Sequence, residues 1–306
     1  MKKQTRSNFI GAVEARYPGL VEKIKGIIEE SEKKFSRDPE RRDSYLWEHT
    51  TLVASLGYEL ALAAKMDPVV PSVAALCHDA GKFAGGKYHT DERPEEEDAA
   101  SIADRIGREA GMKAKDIRRL TSGLLALYNK AARKNPIADI VHDADFLSKF
   151  GALGVANFFI KSTLRGKTLQ GALVSSLSKE LTYAACLPSN MRTRAGRLWA
   201  ERKSRDTLRF FRSLLLELKE TRVADFEIKR IRVYPESDPR RPVDVRLAVP
   251  HSCETCGGCW RMAFRTEQGN KCEKLEAEIK CAECGNASSF SFCLPEIPGK
   301  AGTYRR

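Results

Sequence analysis

The sequence predicts a mainly α protein: a helical domain over residues 1–222, a small β-rich domain over 223–300, and a tail over 301–306. Three observations carry this. Apolar residues recur at helical spacing up to about residue 222, as in Leu52, Val53, Leu56 and Leu60. The period then falls to two, with Val243, Val245, Leu247 and Val249 alternating with Asp244, Arg246 and Ala248. Finally, seven of the nine cysteines fall between Cys253 and Cys293.

Taken in order, residues 1–33 read as a short arm followed by a helix carrying Leu20, Val21, Ile24, Ile27 and Ile28 after the Pro18-Gly19 break. A charged loop at Arg37 to Arg42 leads to a helix from Leu46 to Met66, ended by Asp67-Pro68. The next, Pro71 to about Asp79, is short and almost wholly apolar, as a core helix should be, and a loop with Gly81, Gly85 and Gly86 follows. Helices are expected over Glu95 to Ala110, capped by Gly111, over Asp116 to Leu127, and over Ile137 to Ile160. Helical segments continue from Thr163 to Leu187, and a long helix runs from Thr193 to Arg222 with Leu208, Phe211, Leu215 and Leu218 inward. Beyond it, Trp260, Met262 and Phe264, then Leu275, Ala277 and Ile279, then Phe290 and Phe292 mark further half-buried strands.

The composition, 42% hydrophobic and 31% charged over 306 residues, is that of a globular chain. No apolar run is long enough to span a bilayer, so no membrane partner is expected. The start Met1-Lys2-Lys3 is followed by polar residues rather than a signal-peptide core, which points to the cytoplasm. A net charge of +12 suits nucleic acid, an anionic surface or phosphorylated small molecules. The densest basic run is Arg192, Arg194, Arg197, Arg202, Lys203, Arg205, Arg209 and Arg212; it is either a solvated face or a phosphate-steering one.

Three segments hold metal-ligating side chains within apolar helices: Glu48-His49-Thr50, His78-Asp79-Ala80-Gly81-Lys82, and Val141-His142-Asp143-Ala144-Asp145. Two imidazoles and two carboxylates, from His49, His78, Asp79 and Asp145, suit one divalent ion: manganese, magnesium, iron, cobalt, nickel or zinc. Such an ion would activate water against a phosphate ester, and Lys82 could balance the charge that develops. Four of the five histidines lie in or beside this set, and a carboxylate on an apolar helix needs a partner. A hydrogen-bonded core pair would account for His78-Asp79 as well, so the residues alone leave both readings open.

The motif set resembles the HD-domain metal-dependent phosphohydrolase superfamily. Asp143 to Val155, with Gly151-Ala152-Leu153-Gly154, and the later Met191-Arg192-Thr193 and Ala200-Glu201-Arg202 resemble a bacterial subgroup of predicted HD hydrolases. The resemblance, over about residues 40–220, implies an all-helical HD domain, metal-dependent phosphomonoesterase, phosphodiesterase or nucleotidohydrolase activity, and His49, His78, Asp79 and Asp145 as ligands; Asp79 and Lys82 are the catalytic candidates. Many relatives carry further histidines where this chain has Glu95 and Tyr128-Asn129, which argues for a single metal. His89, His142 and Glu95 are second-rank candidates: a surface residue or mobile acid/base, a partner of a ligand, and part of an acidic helix start or a water-orienting carboxylate. For Asp143 a structural role is favoured over ligation.

Cys253-Glu254-Thr255-Cys256-Gly257 and Cys281-Ala282-Glu283-Cys284-Gly285 are the same phrase twice. Two such knuckles flanking strands form a closed tetrahedral thiolate site, and this resembles the zinc-ribbon class. Clustering in a reducing compartment favours metal over disulfides for this group. An iron–sulfur site built from Cys253, Cys256 and Cys259 is the weaker option, and Cys259, Cys272 and Cys293 stay unassigned. Cys77 and Cys186 read as core thiols. The function expected is a phosphohydrolase acting on a nucleotide or related small metabolite, with the ribbon stabilising it or docking a partner. The rivals are a nucleic-acid-binding module with a degenerate helical core and a non-catalytic nucleotide sensor.

Overall fold

The protein is described by a computed structural model over residues 9–36, 43–83, 94–129, 134–236, 239–240, 242–253, 255–268 and 272–295. Among the described residues are ten helices and five strands. The mainly α fold class, helical first and β-rich at the end, is as the sequence predicts. The chain divides into two compact units, residues 1–148 with 192–196, and residues 149–191 with 197–306. The change of period near residue 223 lies inside the second unit.

The first unit holds α1 (Phe9–Arg16), α2 (Leu20–Ser36), α3 (Tyr45–Ala63), α4 (Val69–Cys77), α5 (Glu95–Glu109), α6 (Ala114–Leu125) and α7 (Pro136–Ser148). The short helix α1 stands within the stretch read as an arm. Ser44 caps α3 by accepting the Trp47 N–H at 3.0 Å, and the buried Glu32 of α2 accepts the Leu46 N–H at 3.1 Å. Every residue of α4 is buried, so this helix is the axis of the unit. Its neighbours come close because small residues face it. A Cβ on Gly57 of α3 would stand 3.5 Å from Ala75 of α4 and 3.8 Å from Ala144 of α7. Gly81 does the same for the turn after α4: a Cβ there would sit 2.6 Å from the Glu95 carbonyl oxygen, so only glycine lets that turn rest on the start of α5.

The helix expected over Ile137 to Ile160 is in fact two, α7 and α8 (Gly151–Leu164). Gly151 takes φ +77° at the start of α8, which breaks the run.

The second unit contains α8, α9 (Leu169–Asn190), most of α10 (Arg194–Glu220) and strands β1 (Phe226–Val233), β2 (Val243–Pro250), β3 (Trp260–Gln268), β4 (Glu273–Cys281) and β5 (Ala287–Cys293). β1 pairs with β2, and β3, β4 and β5 form an antiparallel meander. The inward residues Val245, Leu247, Leu275, Ile279, Phe290 and Phe292 share one core with Cys186 of α9. Phe211, Leu215 and Leu218 of α10 are buried beside Phe158, Leu177 and Ala248. One edge of β2 is closed by a helix. Ser178 and Thr182, one turn apart on α9, accept the backbone N–H groups of Ala248 and Arg246 at 2.9 and 3.0 Å.

Candidate metal centre

In the first unit α3, α4 and α7 bring His49, His78, Asp79 and Asp145 together. His49 Nε2 lies 3.3 Å from Asp145 Oδ1 and 3.7 Å from Asp79 Oδ2. His78 Nε2 lies 3.6 Å from Asp79 Oδ1 and 3.8 Å from Asp145 Oδ1. The last three separations are too long for good hydrogen bonds. Two donors each about 2.1 Å from one ion stand at most about 4.2 Å apart, so all four separations suit ligands of a shared cation.

The tautomer of His78 sharpens this. Its Nδ1 lies 2.7 Å from the Ala75 carbonyl oxygen, which can only accept, so Nδ1 carries the proton. In the neutral ring Nε2 then offers a bare lone pair. It is buried, has no hydrogen-bond partner, and faces two carboxylates. A lone pair aimed at anionic oxygens is repulsive unless a proton or a metal ion stands between them. His49, His78 and Asp79 could therefore hold a metal ion, with Asp145 adjacent.

The electrostatics of the two rings differ. Burial pulls the His49 pKa down despite Asp145 and Asp79, keeping its ring neutral and able to ligate. For His78, burial works in the same direction, but Asp79 and Asp145 outweigh it and raise the pKa. Burial would raise Asp79, yet His78, Lys82 and His49 hold it well below the usual carboxylate range.

Lys82 donates from Nζ to Asp79 Oδ2 at 2.7 Å, so its charge is committed to this carboxylate. Sequence reasoning assigns no role to Tyr128, whose hydroxyl donates to Asp145 Oδ2 at 2.9 Å. Although 46% of the residue is exposed, desolvation of the hydroxyl and the charges of Asp145 and Asp79 push its pKa well above the usual phenol value. Tyr128 fixes one carboxylate oxygen so that the other faces the imidazoles. The Tyr128→Phe protein is expected to bind a divalent ion about 10- to 100-fold more weakly, by calorimetric titration, with its fold unchanged.

Other candidates sit elsewhere. His142 Nδ1 lies 3.0 Å from Asp143 Oδ1 and its ring stacks on Phe146. Glu95 begins α5, in a first turn of four acidic residues. His89 lies outside the described residues. Asp143 is fully buried and accepts the backbone N–H groups of Arg192 and Thr193, both at 2.8 Å. It ties the entry of α10 to α7. Gly196 makes room for it: a Cβ there would overlap Asp143 Oδ2. Gly196→Ala should cost about 1–3 kcal/mol in denaturant unfolding, because a buried, hydrogen-bonded carboxylate must move.

In the second unit Cys253, Cys256, Cys281 and Cys284 converge, and these four could hold a metal ion. The sulfur of Cys253 is 3.6 Å from that of Cys284, and Cys256 is 3.5 Å from Cys281. A tetrahedral ion with bonds of about 2.3 Å has ligand–ligand edges of about 3.8 Å. The two knuckles are alike: Gly257 N–H donates to Cys253 O at 2.7 Å and Gly285 N–H to Cys281 O at 3.3 Å, each glycine at φ near +75°. Against desolvation, the backbone N–H groups of Thr255 and Cys256 draw the Cys253 thiol down to about 6. Cys259 is exposed and outside the group. The expectation that clustering favours metal over disulfides fails for one pair: Cys272 and Cys293 form a disulfide with Cα atoms 5.7 Å apart. Strand pairing brings them to the same end of the sheet: Lys274 pairs with Cys293, and Leu294 N–H donates to Glu273 O at 2.8 Å.

Residues 46–149 match the HD domain family. Solved structures that the chain resembles include Bacillus subtilis YpgQ in complex with ADP, 21% identical, covering 65% of this chain and 96% of that one, with a TM-score of 0.46. Another is a predicted HD superfamily hydrolase from an uncultured Thermotogales bacterium, 19% identical, covering 64% and 91%, TM-score 0.46. A third is an HD-superfamily hydrolase from Bacillus thuringiensis, 19% identical, covering 65% and 98%, TM-score 0.47. No curated protein matches the chain. The family match covers the segments on which His49, His78, Asp79 and Asp145 converge.

Proposed function

We propose that the chain is a metal-dependent phosphohydrolase that cleaves a phosphate ester of a nucleotide or related small metabolite. The observation that carries this reading is the buried Nε2 of His78, a lone pair held by the Ala75 carbonyl and turned towards two carboxylates. His49, His78, Asp79 and Asp145 would hold one divalent ion, whose borderline-to-hard donor set admits manganese, magnesium, iron, cobalt, nickel or zinc. Such an ion supplies an acidified water and polarises the phosphoryl oxygen under attack.

The chain's own groups do the rest. Asp145, held by Tyr128, keeps its second oxygen fixed. Lys82 helps to keep Asp79 ionised, and its ammonium would offset part of the negative charge that develops on the phosphate. We assign a structural zinc to Cys253, Cys256, Cys281 and Cys284, which would stabilise the β-rich part of the chain.

The test is a panel of nucleotides and phosphate esters, each with several divalent ions. Metal-stimulated turnover by the native protein, absent from His78→Ala, is expected. Turnover that is equal in both proteins would refute the reading. One observation favours a second reading, nucleic-acid binding: Arg194, Arg197, Arg202, Arg205, Arg209 and Arg212 are all exposed along α10. Arg192 and Lys203 of the same run are engaged instead with the carbonyls of Leu127 and Phe150. Salt-sensitive binding that survives His78→Ala would favour it.

A further inference from the structure

The three-stranded sheet leaves one long edge to account for. β3 pairs with β4 along all nine of its residues and, among the described residues, with no other strand. The phase of its free edge follows from neighbouring bonds. Ala282 N–H donates to Cys259 O at 2.9 Å, and the register is unbroken from there, so the odd-numbered residues of β3 bond to β4. The N–H and C=O groups of Trp260, Met262, Phe264 and Thr266 therefore point away from the sheet. The free edge of β2 is closed by Ser178 and Thr182, but among the described residues no side chain caps the edge of β3 in this way. It also lacks the proline or bulge that commonly blunts an edge.

We propose that this edge pairs, antiparallel, with the same edge of a second copy of the chain, about a two-fold axis at Phe264. Phe264 is the middle residue of β3 and 47% exposed. An axis there sets outward backbone groups against their counterparts: Met262 against Thr266, and Phe264 against itself. It also sets Arg261 against Glu267 twice, as non-hydrogen-bonded pairs whose side chains lie close. Within one chain Arg261 stands opposite Lys280, a like charge, and Arg265 is already committed to Glu276 at 2.6 Å. Arg261 is thus the cation of β3 that faces a like charge, and the second copy brings it an acid. Moving the axis by one residue either way sets Arg261 against Arg265, or Arg265 against itself. Charge therefore selects the Phe264 axis.

The experiment is sedimentation velocity on the full chain across a concentration series. The native protein should be a dimer. Arg261→Glu and Glu267→Arg should each raise the dimer Kd about tenfold or more, since each turns two attractive pairs into repulsive ones. Arg261→Glu combined with Glu267→Arg should restore the native Kd. Zinc content and circular dichroism on each variant establish that it is folded. A monomer at every concentration overturns the proposal. So does a dimer indifferent to both single reversals, or one the double reversal fails to rescue.

Discussion

Asp145→Ala should lower metal-stimulated phosphate-ester hydrolysis by roughly a thousandfold, the several kcal/mol that a correctly held cation contributes to such a transition state. Two losses combine. The carboxylate that stands 3.3 Å from His49 Nε2 and 3.8 Å from His78 Nε2 disappears, and Tyr128 loses its acceptor. Metal content by plasma mass spectrometry should fall with activity, while circular dichroism stays native. If the ion remained fully bound and turnover persisted, Asp145 would not be a ligand. Asp145→Asn is the finer probe. It keeps the shape and an acceptor for Tyr128 but removes the charge, and should also lose most of the metal.

The second large effect concerns the cysteine cluster. Structural zinc in small modules supplies about 10–16 kcal/mol of apparent folding free energy, more than a three-stranded sheet could replace. Cys281→Ser should therefore leave the strands from Trp260 to Cys293 exchanging backbone hydrogens freely, as a strong chelator would in the native protein. Hydrogen exchange read by mass spectrometry separates this from global unfolding, because α3 and α4 should stay protected. Full protection of β3 and β4 in the Cys281→Ser protein would show that packing, not metal, holds them.

Much of this was legible in the residues, for physical reasons that differ from part to part. His49, His78, Asp79 and Asp145 stood out because ionisable side chains on apolar helices are costly unless they meet. The knuckles were legible because cysteine spacing and the following glycine are local features. What escaped depends on distant or subtle contacts. Tyr128 acts only through Asp145, 17 positions away. The disulfide depends on the β4–β5 register, which no spacing rule between Cys272 and Cys293 encodes. β1 hides because its apolar residues Phe226 and Ile228, then Ile231 and Val233, slip phase midway. The single helix expected over 137–160 concealed a turn that rests on the backbone of one residue, Gly151.

The bond from Asp143 to Arg192 and Thr193 spans 49 and 50 positions, across the excursion of residues 149–191 into the second unit. During synthesis, a chain that has emerged only as far as residue 148 carries a buried anion with neither of those amides to receive it. The N-terminal body is thus left incomplete until the ribosome has delivered residues 192–196. A nascent chain stalled before that point should be far more open to protease than one stalled shortly after it.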